Sequence, residues 1–259
     1  MLLKGQVQGP ESLILDGSTI YSGTVDGKVL QIKDGQIAES LPLGASNCDS
    51  FDDLPNCGRV LGIRWLNGKE IVVADAYLGI ILINLHTKEK RVLLPTGTVI
   101  DELPVTFPND LDVLDEDTII FSDVSTKWDI RYFFHIMLEG IPNGRVIRLK
   151  VSTGQADVLL KDLYFPNGIQ IMPDRQSVLI SETSMARIIR FWFVGPEQGN
   201  SEIFANNLPG YPDNIRPSTT GSFYVGMAWA RLPNVTNYLD ILGPLPFIRS
   251  GLLNVGLNG

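Results

Sequence analysis

Phe107-Pro108-Asn109-Asp110 sets an aromatic residue, a proline and a short oxygen-bearing side chain ahead of an apolar run, Leu111 to Leu114. The arrangement returns as Phe165-Pro166-Asn167-Gly168 before Ile169 to Ile171. It returns again as Tyr211-Pro212-Asp213-Asn214 before Ile215 and, after a turn, Phe223 to Val225. Weaker relatives stand at Gly9-Pro10-Glu11, where a carboxylate follows the proline, and at Val60-Leu61-Gly62-Ile63, where leucine replaces the oxygen ligand. The copies fall about 45 to 60 residues apart, the period of propeller-like or solenoid repeats. One such motif alone reads as a turn, with Pro fixing φ and Asn or Asp capping the next strand. Three in phase, with Glu11, can instead gather their oxygens about a common axis, which is how a chain builds a site for a hard cation.

The units between these motifs are strings of short strands. Leu13 to Leu15, Ile20 to Ser22 and Val29 to Ile32 are punctuated by Asp16-Gly17, Asp26-Gly27 and Asp34-Gly35, which are hairpin turn signals. Similar runs follow at 61–65, 71–74, 79–84 and 90–94, then at 111–114, 118–122, 145–150 and 157–160. A fourth set lies at 169–172, 177–181, 187–193 and 201–204. Four short strands per unit, repeated, predict an all-β propeller. One helical insertion is expected near 127–139. Asp129 to Glu139 lacks turn residues and is too apolar for a single stripe, so it either covers a pocket mouth or packs on blade edges. The tail from Tyr238 to Gly259 is apolar and rich in Gly, Leu and Pro, and completes no fifth four-stranded unit. The expectation is one incomplete propeller domain over 1–259.

With 259 residues, 44% hydrophobic and 19% charged, the chain can bury a sizeable core. A net charge of −8 and no Lys/Arg cluster argue against nucleic acid. Cys48 and Cys57 sit in one polar, Asp-rich loop. They fit either a disulfide formed in an oxidising compartment or two free thiols in the cytosol. Without histidines nearby they do not suggest zinc. Asn234-Val235-Thr236 fits the N-glycosylation pattern. No apolar run of signal-peptide length follows Met1, and no stretch is long enough to span a bilayer. The chain is then either cytosolic or targeted by a segment outside this sequence.

An ordered set of motifs runs from Cys57-Gly58-Arg59-Val60-Leu61-Gly62-Ile63-Arg64 through Val73-Ala74-Asp75-Ala76-Tyr77 and Phe121-Ser122-Asp123-Val124-Ser125-Thr126-Lys127-Trp128. It continues through Phe165-Pro166-Asn167-Gly168 to Pro212-Asp213-Asn214-Ile215-Arg216-Pro217. This set resembles the strictosidine synthase-like family, most of all its animal branch of adipocyte plasma membrane-associated proteins. The resemblance implies a six-bladed β-propeller, here truncated to about five blades. The wider superfamily, with paraoxonases and gluconolactonases, holds an axial calcium ion. Carried over motif by motif, its ligands fall on Glu11, Asn109, Asn167, Asp213 and Asn214. Amide and carboxylate oxygens suit that ion, which can polarise an ester or lactone carbonyl or activate a water.

Two departures accompany the likeness. The histidine pair of paraoxonase-type enzymes corresponds here to Leu61 and Asp75, so hydrolysis needs another base, for which Asp75 is the candidate. The catalytic glutamate of plant strictosidine synthases belongs to the sixth blade, which this sequence does not include, so amine–aldehyde condensation is kept only as a third reading that these residues do not test. The family's linked cysteine pair maps onto Cys48 and Cys57. The expected function is thus a calcium-dependent, arylesterase-like hydrolase of small esters or lactones. The rival is a catalytically silent binding propeller. The resemblance places the intact product at a membrane through a segment absent from this chain, with the propeller in the endoplasmic reticulum lumen or outside the cell, or secreted.

Overall fold

Turn residues cut the chain into short strands that pair with their sequence neighbours. A computed structural model describes residues 3–46, 48, 50–232 and 234–256. The first antiparallel sheet holds β1 (Leu13–Asp16), β2 (Thr19–Gly23), β3 (Lys28–Lys33) and β4 (Gln36–Pro42). Gly17, with φ +58°, supplies the left-handed position of its first hairpin, where β1 Asp16 pairs with Thr19. After a one-turn helix α1 (Leu54–Cys57), the second sheet holds β5 (Val60–Trp65), β6 (Glu70–Asp75), β7 (Gly79–Asn84) and β8 (Lys90–Leu94). A small hairpin, β9 (Val99–Ile100) and β10 (Leu103–Pro104), leads to the third.

That sheet orders β11 (Pro108–Asp115), β12 (Thr118–Asp123), β13 (Gly144–Lys150) and β14 (Ala156–Leu163). Between β12 and β13 comes the expected insertion, a 3₁₀ turn (Ile130–Tyr132) running into α2 (Phe133–Glu139). The fourth sheet is β15 (Pro166–Ile171), β16 (Ser177–Glu182), β17 (Arg187–Trp192) and β18 (Ser201–Ala205). The fifth is a pair, β19 (Gly210–Pro217) and β20 (Phe223–Ala230). The inner strands β5, β11, β15 and β19 lie side by side in that order. The architecture is that of an all-β propeller.

Apolar side chains fill the seams between consecutive sheets. Val60, Ile63 and Val73 meet Ile14 and Val29; Val72 and Ile80 meet Leu111 and Phe121; Ile120 and Val146 meet Ile169 and Ile180. Leu179 and Ile188 meet Ile215. Strands buried on both faces explain the near-continuous apolar runs of β6, β12 and β16.

As expected, the tail adds no strand to the fifth sheet. It forms two helices, α3 (Tyr238–Leu242) and α4 (Pro246–Gly256). Their start signals are local: Asn237 Oδ1 accepts from the Leu239 and Asp240 N–H groups at 3.1 and 3.3 Å, and Pro246 opens α4. Gly243, Gly251 and two prolines hide the periodicity of such short elements. Cys48 and Cys57 form a disulfide, with Cα atoms 6.0 Å apart.

Candidate metal centre

Each inner strand carries an irregularity at the same point. Register shifts fall between Val60 and Gly62, Pro108 and Leu111, Pro166 and Ile169, and Pro212 and Ile215. A bulge re-aims the side chains it spans. Here it turns Leu61, Asn109, Asn167 and Asp213, one from each of the second to fifth sheets, into a single cavity, where Glu11 joins them. The cavity has a volume of about 470 Å³.

Residues one step further along do not line the cavity but meet one another behind it: Arg216 joins Ser12, Asp110 and Asn214, Gly62 lies against Asp110 and Gly168 against Asn214. Asp110 is fully buried and takes both prongs of Arg216, at 2.8 and 3.0 Å. It also accepts the Ile169 N–H at 2.9 Å. Arg216 donates further to Ser12 Oγ at 2.8 Å and Asn214 Oδ1 at 3.2 Å. Asn214 Nδ2 reaches Glu11 Oε1 at 3.2 Å. Arg64 approaches Asp110 at 3.7 Å and Asp112 at 3.4 Å. Burial acts to raise the Asp110 pKa, but Arg216 and Arg64 outweigh it and hold the group below the ordinary carboxylate value. The first and last motifs of the repeat thus meet under the cavity floor.

Among the described residues, eight buried side-chain polar atoms have no hydrogen-bond partner. Four of them are Glu11 Oε2, Asn109 Oδ1, Asn167 Oδ1 and Asp213 Oδ1. Buried acceptors without donors are costly and rare. Four converging on one cavity floor have the donor chemistry of a hard-cation site, with two carboxylates and two amide oxygens. Among the described residues no three His, Cys, Asp or Glu cluster, which leaves this mixed oxygen set rather than a zinc-type one. Electrostatics point the same way. Burial, then Asp213 and Asp110, push the Glu11 pKa up to about 8 against the pull of Arg59 and Arg216. Burial and Asp110 likewise raise that of Asp213, while Asn167 donates to it.

Of the expected ligand residues, Glu11, Asn109, Asn167 and Asp213 meet at the floor. Asn214 lies in the layer below, its side-chain amide oxygen Oδ1 engaged by Arg216. Asp75 does not line the cavity. Its Oδ1 accepts the Tyr77 and Leu78 N–H groups, both at 2.9 Å, and burial raises its pKa. Asp75, Asp123 and Glu182 pair with Val60, Pro108 and Pro166, the residues that open the inner strands. Asp123 takes the Thr106 and Phe107 N–H groups at 3.1 and 2.9 Å, and Glu182 takes that of Tyr164 at 2.7 Å. This in-phase series pins the chain as it enters each inner strand. Asn234 is exposed in a turn.

The cavity walls are apolar. Phe107 and Phe165 meet edge to face at 6.1 Å, and Phe165 holds φ +60°, a costly position for a bulky residue. Ile130, Phe133 and Met137 of the insertion line one side, so it does border the pocket, and Trp229 stacks on Phe133 at 6.1 Å. The cysteine loop supplies Phe51 and Leu54. Arg131 ties loop to insertion: it lies 5.2 Å from the Phe51 ring and donates to the Phe51 carbonyl at 3.4 Å. Sequence reasoning missed Arg59 and Trp229 as lining residues because no repeat marks them.

A strictosidine synthase family model matches residues 109–196. The adipocyte plasma membrane-associated protein of Rattus norvegicus is 38% identical over 249 residues, covering 96% of this chain and 66% of that protein. The chain is similar to proteins of the strictosidine synthase-like family. It spans 66% of the rat relative's length and 60% of the human one's. Among solved structures, a gluconolactonase from Xanthomonas campestris aligns with a TM-score of 0.62 at 17% identity, covering 85% of this chain and 70% of that one. A calcium-binding protein, regucalcin, from Agrobacterium tumefaciens aligns with a TM-score of 0.58 at 15% identity, covering 85% and 67%. At such identities these two establish the propeller fold alone.

Proposed function

We propose that the axial floor binds calcium and that the cavity above it hydrolyses a small ester or lactone with an apolar body. One observation carries the reading: Glu11, Asn109, Asn167 and Asp213 present four buried oxygens without donors to one cavity. The likeness in fold to a gluconolactonase and to a calcium-binding protein, regucalcin, supports it. When bound, a hard cation polarises a carbonyl oxygen or lowers the pKa of a water. Phe107, Phe165 and Phe133 hold the apolar body and keep bulk water from the floor. Arg59, on the wall and close enough to feel both Glu11 and Asp213, places a positive charge beside any developing oxyanion. Asp75 fits a positioning part, since it holds the turn that sets Tyr77 on the wall.

The second reading, a non-catalytic binding propeller, is favoured by one observation: Leu61 fills the fifth in-phase position where a polar group could serve as base. Phenyl acetate and a panel of lactones, assayed with calcium and with a chelator, decide between them. Activity lost on chelation and in Asp213→Ala supports hydrolysis at the axis. No turnover in either condition by folded protein sinks it in favour of binding.

The disulfide supports an oxidising compartment, and the exposed Asn234 is accessible to a glycan. Together with the rat relative's name, these support an intact product at a membrane with the propeller outside the cytosol. Among the described residues no helix is long and apolar enough to cross a bilayer.

A further inference from the structure

Arg59 and Tyr77 stand side by side on one wall of the axial cavity. The Ala76 N–H donates to the Arg59 carbonyl at 2.9 Å, which holds the entry of β5 against the exit of β6, and both side chains line the space. Each carries donors that the protein leaves unused. A guanidinium has five N–H groups. Among the described residues the Arg59 side chain spends one of them, on the Gly9 carbonyl at 2.6 Å, and enters no ion pair. Its charge acts on Glu11 more strongly than that of Arg216 does, so it stands at the edge of the floor. The Tyr77 hydroxyl has no hydrogen-bond partner among the described residues. Burial, then Asp129, push its pKa up to about 12 against Arg131 and Arg59, so at neutral pH it is a donor.

The charged residues lining the cavity are Glu11, Asp213, Arg59 and Arg131. Arg131 is taken by Asp129, through Nη2 at 2.7 Å and Nε at 3.1 Å. A divalent cation on the floor offsets Glu11 and Asp213. Arg59 is then the one uncompensated charge on an otherwise apolar wall. Asp75 acts on it from behind that wall without forming an ion pair. A half-buried charge in apolar surroundings is costly until a ligand pairs with it. We infer that the cavity takes an amphiphilic monocarboxylate, its carboxylate held by Arg59 and the Tyr77 hydroxyl and its apolar body by Phe107, Phe133 and Phe165. As a substrate this is an ester or lactone that carries a carboxylate apart from the bond cleaved. A planar carboxylate matches the guanidinium fork, whereas a phosphate dianion brings a second charge for which the wall has no partner. The inference rests on the axial-cation reading, because without the ion Glu11 and Asp213 repel an anion. It does not rest on turnover.

The test is isothermal titration calorimetry of the full chain with calcium, using 3-phenylpropanoate and its neutral amide. The carboxylate should bind roughly tenfold or more tightly than the amide, the scale of hydrogen bonds to a charged group. Arg59→Gln should remove most of that preference, and Arg59→Lys should keep part of it. Tyr77→Phe deletes a hydroxyl that no protein group uses, so it should hold the unfolding midpoint and lose part of the preference. Should Arg59→Gln fail to fold, Tyr77→Phe carries the test alone. Equal affinity for the two ligands in wild type overturns the inference, as does binding of neither by protein that calcium stabilises. A preference undiminished in both Arg59→Gln and Tyr77→Phe puts the carboxylate on the ion instead and also overturns it. Failure of calcium to raise the unfolding temperature of wild type removes the axial-cation reading and this inference with it.

Discussion

Arg216 holds Asp110 by both guanidinium nitrogens across 106 residues of chain, joining the fifth sheet to the third beneath the cavity. Through Asp110 the pair reaches Ile169 of the fourth sheet and Arg64 of the second, and through Ser12 the first motif. Five segments are clasped at the axis. Asp110→Ala leaves two cations and the Ile169 N–H without their acceptor. Breaking one side of a buried pair costs about 3–5 kcal/mol, so urea unfolding should show a loss of that order. A loss below about 1 kcal/mol, the range of a surface pair, would show that the clasp is not needed.

Calcium should stabilise the protein through the four donor-less oxygens. A ligand at 100 times its Kd adds about 2.7 kcal/mol, and the unfolding temperature should rise by a few degrees. Asp213→Ala removes one of two carboxylates and Asn167→Ala one amide oxygen. Both should blunt the shift, the carboxylate change more strongly. Differential scanning calorimetry with and without chelator reads this directly, and an equal shift in wild type and both variants would move the ion elsewhere.

Without calcium, Glu11 makes stability depend on pH. Its pKa in the fold, about 8, stands above the ordinary 4.5. The folded form therefore binds the proton more tightly than the unfolded chain. That contribution is complete below 4.5 and is lost as pH rises through 8. Chelated protein should thus lose stability across this window, and Glu11→Gln, which stays neutral, should lose less. Saturating calcium favours the ionised carboxylate and should flatten the profile. Stability of the chelated wild type rising between pH 5 and 8 relative to Glu11→Gln would contradict the burial of this charge.

The axial residues were legible because the repeat marks them. Pro-Asn, Pro-Asn, Pro-Asp and Pro-Glu recur in phase, and the first three copies encode a bulge at the same point. The division into two layers was not legible. Asp213 and Asn214 are adjacent in sequence, yet one faces the cavity and the other pairs with Glu11 and Arg216 below it, a choice made by the bulge geometry. The walls were legible only in part. The insertion at 129–139 stood out by its composition, whereas Arg59 and Trp229 belong to no repeat and reach the cavity by tertiary packing. The tail helices are short, and their caps, Asn237 and Pro246, carry no periodic pattern to read.

Gly168 ties the fold to the site most directly. A Cβ there would stand 2.4 Å from the Asp213 carbonyl oxygen and 2.7 Å from the Ile215 nitrogen. Both are backbone atoms of the next inner strand and cannot rotate away. Gly168→Ala must therefore push β19 from β15 and carry Asp213 off the floor. Overpacking of this kind costs about 1–3 kcal/mol, and the calcium-dependent rise in unfolding temperature should shrink with it. Gly68 is the control, since nothing lies within 4 Å of its added Cβ; Gly68→Ala should alter neither quantity beyond about 0.5 kcal/mol. If Gly168→Ala lowers stability but keeps the full calcium response, the ion does not depend on where β19 sets Asp213. Loss of the calcium response at nearly unchanged stability would instead show that the strands can separate cheaply and that the close approach at the axis serves the site rather than the fold.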